Sequence, residues 1–448
     1  MEYSECLNLL SALGHELRRA RFGLGSITAI LAALGHPEQS YPTAIVAGTN
    51  GKGSTCAMLA SILESAGYRT GLYTSPHLVR VNERIRINGS AILDEDFAEA
   101  FSEVSEGINR LLAEGEIADR PSFFEYLTAT AFLHFAAVKA QFVVLEVGMG
   151  GRLDATNVTE PAVAVITNVE LDHQQFLGKT HAEIAREKAG VIKFQRPVIS
   201  ACQHPDVIEE IRRRCRELQA GLLEIDRAAW ITNVHHASGC NGFDLQFEGS
   251  ELLPVRLPLA GRFQIRNSAA AAAAAQRLAQ QGFHISGQAI RQGLERTSWP
   301  GRLEAIHSAP LVVLDGAHNP AAAREIAYFV REQWRGRTLR LVYASMQDKS
   351  VEAISQILFP LADEVYLTQC DVERAATPKA ILERARLRPR CVFEEPNPAR
   401  AVEMAAQRSR GGDVVLATGS LFLVGAIKAA IAEGRLSFTG VATAVGIG

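Results

Sequence analysis

The chain has 448 residues, 47% of them apolar and 21% charged, with a net charge of −3. That length predicts two or three domains with sizeable cores, and the near-neutral balance excludes a basic footprint for nucleic acid. Seven scattered cysteines without a CxxC pair disfavour a disulfide framework or a zinc site and suit a reducing cytosol.

The first residues lack the charged-then-apolar order of a signal sequence. Residues 5–35 read as helices joined by a turn at Arg21-Phe22-Gly23-Leu24-Gly25. An apolar strand, Ala44–Ala47, then runs into Gly48-Thr49-Asn50-Gly51-Lys52-Gly53-Ser54-Thr55, and a helical pattern follows. Strand, glycine-rich turn and helix start together make a phosphate cradle. Glycines let backbone N–H groups face an anion, the helix N-terminus adds positive potential, and Lys52 adds a full charge. The loop departs from GxxxxGK[ST], because Val46 replaces the first glycine and Gly53 separates Lys52 from Ser54.

From 43 to about 201, short apolar strands alternate with amphipathic helices. The predicted strands are 44–47, 71–74, 142–147, 163–168 and 197–201. Such alternation implies a parallel sheet under helices, with ligands beyond the carboxyl ends of the strands. Ser75, Glu146 and Asn168 fall at those ends. The basic run Arg212, Arg213, Arg214 and Arg216 lies among glutamates and reads as a solvated helix face. Residues 222–260 read as a small β-rich excursion, and a helix with seven consecutive alanines is predicted from Asn267. Ser298-Trp299-Pro300-Gly301 reads as a linker. Beyond it a second alternating pattern predicts strands at 311–314, 339–344, 364–368, 391–394 and 413–417. The expected division is 1–299, 300–437 and a loose tail at 438–448. The apolar stretch 421–431 is too short for a membrane span and contains Lys428.

Several side chains invite chemistry. Glu146 ends a wholly apolar strand, a costly place for a carboxylate unless it is paired or metal-bound. It reads either as a ligand of nucleotide-bound Mg²⁺ or as the cap of the following glycine turn. His173 beside Asp172 reads as a metal ligand or as half of a structural pair. Lys188 reads from its helical pattern as solvated. Asp315 and His318 follow another apolar strand and suit a nucleotide site with Arg302 as a fork donor, or a turn held by Asp and Asn.

These segments resemble the folylpolyglutamate synthase/dihydrofolate synthase family of the Mur ligase superfamily. The matching stretches are GTNGKGST (48–55), YTSPHLVRVNERIRING (73–89), SFFEYLTA (122–129), LEVGMGGRLDATNV (145–158), LDHQQFLG (171–178), REKAGVIK (186–193), WPGRLE (299–304), LDGAHNP (314–320) and ATGS (417–420). The resemblance implies an α/β chain: a P-loop-type ATPase domain with a mainly parallel sheet and the β-rich excursion, then a Rossmann-like α/β domain, with ATP between them. It implies that Asn50, Gly51, Lys52, Gly53, Ser54, Asn267, Arg302 and Asp315 bind ATP. It further implies that Ser75, Glu146 and His173 hold Mg²⁺, and that Lys188 is carbamylated and serves a second Mg²⁺. His318 is implied in catalysis, and Lys349 and Ser420 in binding glutamate. Leu153-Asp154-Ala155, with Ser122, matches the form of members that also accept dihydropteroate. One departure stands out. The early turn reads Phe22-Gly23-Leu24-Gly25-Ser26 where relatives commonly carry FGLER, and this puts the pterin preference in question.

The implied reaction is ATP-dependent addition of L-glutamate to folates, and to dihydropteroate, through an acyl phosphate in a cytoplasmic monomer. Two rivals remain: a related ligase of another acceptor such as a cell-wall precursor, and a non-catalytic nucleotide-binding regulator. The absence of an NKxD motif and the presence of Glu146, His173 and Lys188 weigh against the regulator.

Overall fold

The computed structural model describes residues 1–14, 23–237 and 239–438. Arg21 and Phe22 of the expected early turn, and positions 439–448 of the expected tail, lie outside the described residues.

Eight strands make the first sheet: β1 Thr43–Ala47, β2 Thr70–Tyr73, β3 Ile85–Ile87, β4 Ser90–Ala91, β5 Phe142–Glu146, β6 Val163–Ile166, β7 Val198–Ser200 and β8 Leu222–Glu224. Their order is β4-β3-β2-β5-β1-β6-β7-β8, parallel except where β3 pairs with β2 and β4. β1 lies between β5 and β6, so every one of its residues is buried, as its apolar sequence requires. Alternation divides it between two cores. Ala44 and Val46 face the helices Lys52–Ser65 and Arg262–Gln280, whereas Ile45 and Ala47 face Phe97, Phe101, Tyr126 and Phe132 on the helices Asp94–Glu114 and Phe123–Ala137. The result is three layers. Ala269 to Ala275 are wholly buried, and their small side chains let this long helix pack closely beside the one that leaves the phosphate loop. That helix begins at Arg262 rather than Asn267, because Gly261 takes φ +92° and turns the chain into it.

The β-rich excursion is smaller than expected. β8 joins the edge of the large sheet, and only β9 Ala229–Ala237, β10 Cys240–Phe247 and β11 Leu253–Leu257 form the separate antiparallel sheet. The basic run sits on the helix Pro205–Glu217, where Arg212 pairs with Glu224 and Arg216 with Glu209, a solvated face.

A second sheet holds β12 Glu304–Ser308, β13 Leu311–Leu314, β14 Leu339–Tyr343, β15 Glu364–Leu367, β16 Val392–Glu394 and β17 Val414–Thr418. The order is β12-β13-β17-β14-β15-β16, with only β12 antiparallel. The helices Pro320–Gln333 and Val351–Leu358 cover one face, and Pro398–Gln407 and Leu421–Ala432 the other. β12 carries only half-buried or exposed residues, so it has no apolar run to mark it in the sequence. Among the described residues no helix is long and apolar enough to cross a membrane.

Candidate active site

Parallel registry fixes where chemistry can occur. Val46 pairs with Glu146 and Ala47 with Ile166, so β1, β5 and β6 end along one edge. The second sheet does the same, with Leu314 beside Ala417 and Tyr343 beside Thr418. The loops leaving both edges line one cleft of about 1090 Å³.

Every residue singled out in the sequence lines that cleft. Asn50, Gly51, Lys52, Gly53, Ser54, Ser75, Ser122, Glu146, Leu153, Asp154, Ala155, His173, Lys188 and Asn267 come from the first half, and Arg302, Asp315, His318, Lys349 and Ser420 from the second.

The phosphate loop is held from below. Gly51 caps the helix Lys52–Ser65 at φ +83°, a conformation that glycine adopts without strain. A side chain there would meet the Asn267 amide oxygen at 2.5 Å. The Asn50 N–H donates to Asn168 Oδ1 at 2.7 Å, and Lys52 Nζ donates to the Thr49 carbonyl at 3.1 Å. Ser54 accepts from Gln264 Nε2 at 3.1 Å, and Gln264 Oε1 in turn accepts from Asn267 Nδ2 at 2.9 Å. Ser54 and Asn267 are thereby fixed to each other through one glutamine.

Glu146 is 5% exposed and accepts the Ser75 backbone N–H at 3.1 Å. Burial pushes its carboxyl up, while Lys52 and then Arg302 pull it back. A buried carboxylate, with Ser75 lining the same cleft, offers hard oxygen donors and suits Mg²⁺. Among the described residues no three His, Cys, Asp or Glu side chains form a closed metal cluster. The partial shell fits an ion that keeps phosphate and water ligands. His173 stands at φ +51° after β6, and burial, then Lys349, hold its ring down to about 4, in the neutral form a metal requires.

Lys188 corrects the reading of a solvated lysine. It is 4% exposed, and its Nζ donates to the Gly48 carbonyl at 2.8 Å. Burial, then Lys52, brings its ammonium down to about 7. Helical spacing carried no sign of this, because the burying partner is the phosphate loop, far away in sequence.

On the opposite wall, Asp315 accepts N–H groups from Leu303 at 2.9 Å and Ala317 at 2.8 Å, and burial raises its carboxyl. His318 Nδ1 lies 2.8 Å from the Gly316 carbonyl, and burial followed by Lys349 holds its ring down to about 4. Ser420 caps the helix Leu421–Ala432 by accepting from the Phe422 N–H at 3.1 Å. Lys349 is already engaged, donating to Asp172 at 3.0 Å. Burial opposes the charge on Asp172, but Lys349, His173 and His318 hold it well below the usual carboxylate range.

At the far end, Asp154 turns inward. One oxygen accepts from Thr156 N at 3.0 Å and Thr156 Oγ1 at 2.6 Å, the other from Met149 N at 3.0 Å. Ser122 caps the helix Phe123–Ala137 and donates to Glu125 at 2.7 Å. Asn319 and Arg374 also line or brace the site without having been singled out. Each sits in a turn whose partners come from another element.

Comparison with known proteins fits this geometry. The Mur ligase middle domain family matches residues 46–275, and the Mur ligase glutamate ligase domain family matches 301–421. A Bacillus subtilis protein named dihydrofolate synthase/folylpolyglutamate synthase is 34% identical over 91% of this chain and 94% of its own. The Escherichia coli FolC structure in complex with DHPP and ADP superposes with TM-score 0.86 at 30% identity, covering 97% of this chain and 100% of that one. A Yersinia pestis bifunctional folylpolyglutamate synthase/dihydrofolate synthase, complexed with AMPPNP and a Mn ion, gives TM-score 0.82 at 31% identity over 96% and 98% of the two chains.

Proposed function

We propose that this chain, which belongs to the folylpolyglutamate synthase/dihydrofolate synthase family, uses ATP to join the amine of L-glutamate to a folate-type carboxylate. It is an ATP-dependent ligase. The observation that carries the finer reading is the single cleft, with a phosphate loop on one wall and Asp315, His318, Lys349 and Ser420 on the other.

Carboxylate is a poor electrophile, so the reaction first gives it a leaving group. A substrate carboxylate oxygen attacks the γ-phosphorus, and the bond to the bridging oxygen breaks, releasing ADP. The glutamate nitrogen then attacks the acyl carbon, phosphate departs, and the amine loses a proton. The phosphoryl step needs positioning and neutralised charge rather than a protein nucleophile. Lys52 and Arg302 line the cleft where phosphate would lie and supply that charge. When bound, Mg²⁺ supplies further neutralisation, and Glu146, Ser75 and His173 would hold it. Neutral Lys188 amine is the form that captures CO₂, and the resulting anion would serve a second ion. Asn267 and Asp315 would position the nucleotide, and Ser122 with Leu153-Asp154-Ala155 would border the pteroate.

Dihydropteroate as a second acceptor is supported by the name of the B. subtilis relative and by the segment 153–155. A boundary between the two halves at residue 299 is supported by the two family matches, one ending at 275 and the other beginning at 301. Both walls come from one chain, which supports a monomer. The scattered cysteines, with no CxxC pair among them, support a cytoplasmic setting.

The test supplies purified protein with ATP, Mg²⁺ and L-glutamate, plus either 7,8-dihydropteroate or a reduced monoglutamyl folate, and weighs the products. One added glutamate on both acceptors is expected. Addition to the folate alone would remove the second activity. No addition to either, by protein that binds ATP, would overturn the folate reading in favour of another Mur-type acceptor.

A further inference from the structure

Asp172 has no part in that scheme, yet it joins the two halves of the molecule. It lies in the loop after β6. Its Oδ1 accepts from Lys349 Nζ at 3.0 Å, and its Oδ2 from Asn319 Nδ2 at 3.3 Å, both from the C-terminal half. Oδ1 also accepts the His173 backbone N–H at 2.9 Å. The pair is well shielded, with the Asp172 side chain 13% exposed and that of Lys349 10%.

Asn319 extends the link to the phosphate loop. Its Nδ2 donates to Asn50 Oδ1 at 2.8 Å, and Asn50 Nδ2 donates back to its Oδ1 at 3.3 Å. The same Oδ1 accepts the Ala322 N–H at 2.9 Å and caps the helix Pro320–Gln333. Asn319 is therefore rigidly placed. A shielded ion pair is weak ground for stability, because desolvation offsets the attraction. Its value here is geometric.

We infer that Asp172 is a positioning residue that holds the Lys349 ammonium at the cleft and ties it, through Asn319 and Asn50, to the phosphate loop. The inference rests on the ligase reading above. An ammonium has three N–H donors. Asp172 takes one, leaving two for a carboxylate of the incoming amino acid. The cation that receives glutamate is thereby set in register with the loop that receives ATP. His173 Nε2 also lies 4.0 Å from Asp172 Oδ1, so an effect on glutamate has to be read apart from an effect on the metal.

The experiment is a double-mutant cycle in the full chain, with Asp172→Asn, Lys349→Met and the combined variant. Steady-state KM and kcat are measured for glutamate, ATP and Mg²⁺, and ADP affinity and thermal melting are measured without turnover. Losing a charge-assisted bond should raise KM for glutamate roughly tenfold in Asp172→Asn, with ADP affinity unchanged. The combined variant should be no worse than Lys349→Met in KM for glutamate or in melting temperature. Independent, additive effects would overturn the inference, as would a change confined to the Mg²⁺ requirement. Should Asp172→Asn fail to fold, Asp172→Glu, which keeps the charge and misplaces it, carries the same comparison. A wild-type chain with no ligase activity would sink the functional reading instead. The cycle in melting temperature would still test the Asp172–Lys349 coupling.

Discussion

The Lys188 ammonium donates to the carbonyl of Gly48, so the side chain expected to become a carbamate is tethered to the first glycine of the phosphate loop. Its pKa of about 7 leaves a large neutral fraction at ordinary pH, where a solvated lysine would have almost none. CO₂ reacts with the neutral amine, so activity limited by carbamylation should rise as pH passes upward through about 7. Stability follows the same sign. Between about 7 and the usual lysine value, the unfolded chain holds a proton that the folded chain has released, so stability should increase with pH across that window. Lys188→Met should flatten this slope and lower kcat by at least about 100-fold. Thermal melts across the window, beside assays with and without added bicarbonate, check both halves. An unchanged slope would show that the amine is not desolvated.

Gly51 and Asn267 form the next contact to test. A Cβ at Gly51 would enter the Asn267 amide at a backbone angle that L residues rarely adopt. Gly51→Ala should destabilise the chain by roughly 1–3 kcal/mol and weaken ATP binding, because loop and helix start move together. Gly67 also has positive φ but meets no atom within 4 Å, and it provides the control for backbone strain alone. Calorimetric ATP affinity should fall for Gly51→Ala and stay unchanged for Gly67→Ala.

Glu146→Gln keeps the shape and removes the charge. Burial raises the Glu146 carboxyl despite the opposing pull of Lys52 and Arg302, so the neutral amide should cost little in folding. It should raise the Mg²⁺ concentration for half-maximal activity and lower kcat by roughly 100-fold or more. Chelation of Mg²⁺ from the wild-type protein should abolish turnover while leaving ADP binding measurable. Equal Mg²⁺ dependence in variant and wild type would return Glu146 to the role of a turn cap.

Strands buried on both faces were legible in the sequence, because apolar runs such as Thr43–Ala47 and Phe142–Glu146 leave little alternative. β4 and β12 were not, since neither carries a run of buried residues. At the site, glycine turns and residues at strand ends were visible because local geometry demands them. Lys188, Asp172 and Asn319 were opaque for the opposite reason. Each acquires its character from a partner more than a hundred residues away, such as Gly48, Lys349 or Asn50. Helical periodicity reports which face is apolar, not which polar side chain another loop will cover.

Asp154 is the residue at which a role for the segment 153–155 in acceptor choice can be tested. Both of its oxygens are spent on Met149 and Thr156, so the side chain shapes the loop rather than reaching outward. Burial raises its carboxyl, and the hydrogen bonds from Thr156 and Met149 pull it back down. Asp154→Ala would orphan N–H groups in the loop that borders the cleft, at about 1–3 kcal/mol for each one left unsatisfied. The expected result is a parallel loss of activity on dihydropteroate and on reduced folate, together with a lower melting temperature. Measuring kcat/KM for both acceptors on the same preparation gives the answer. Loss on dihydropteroate alone, with melting unchanged, would mean that the carboxylate contacts the pteroate directly.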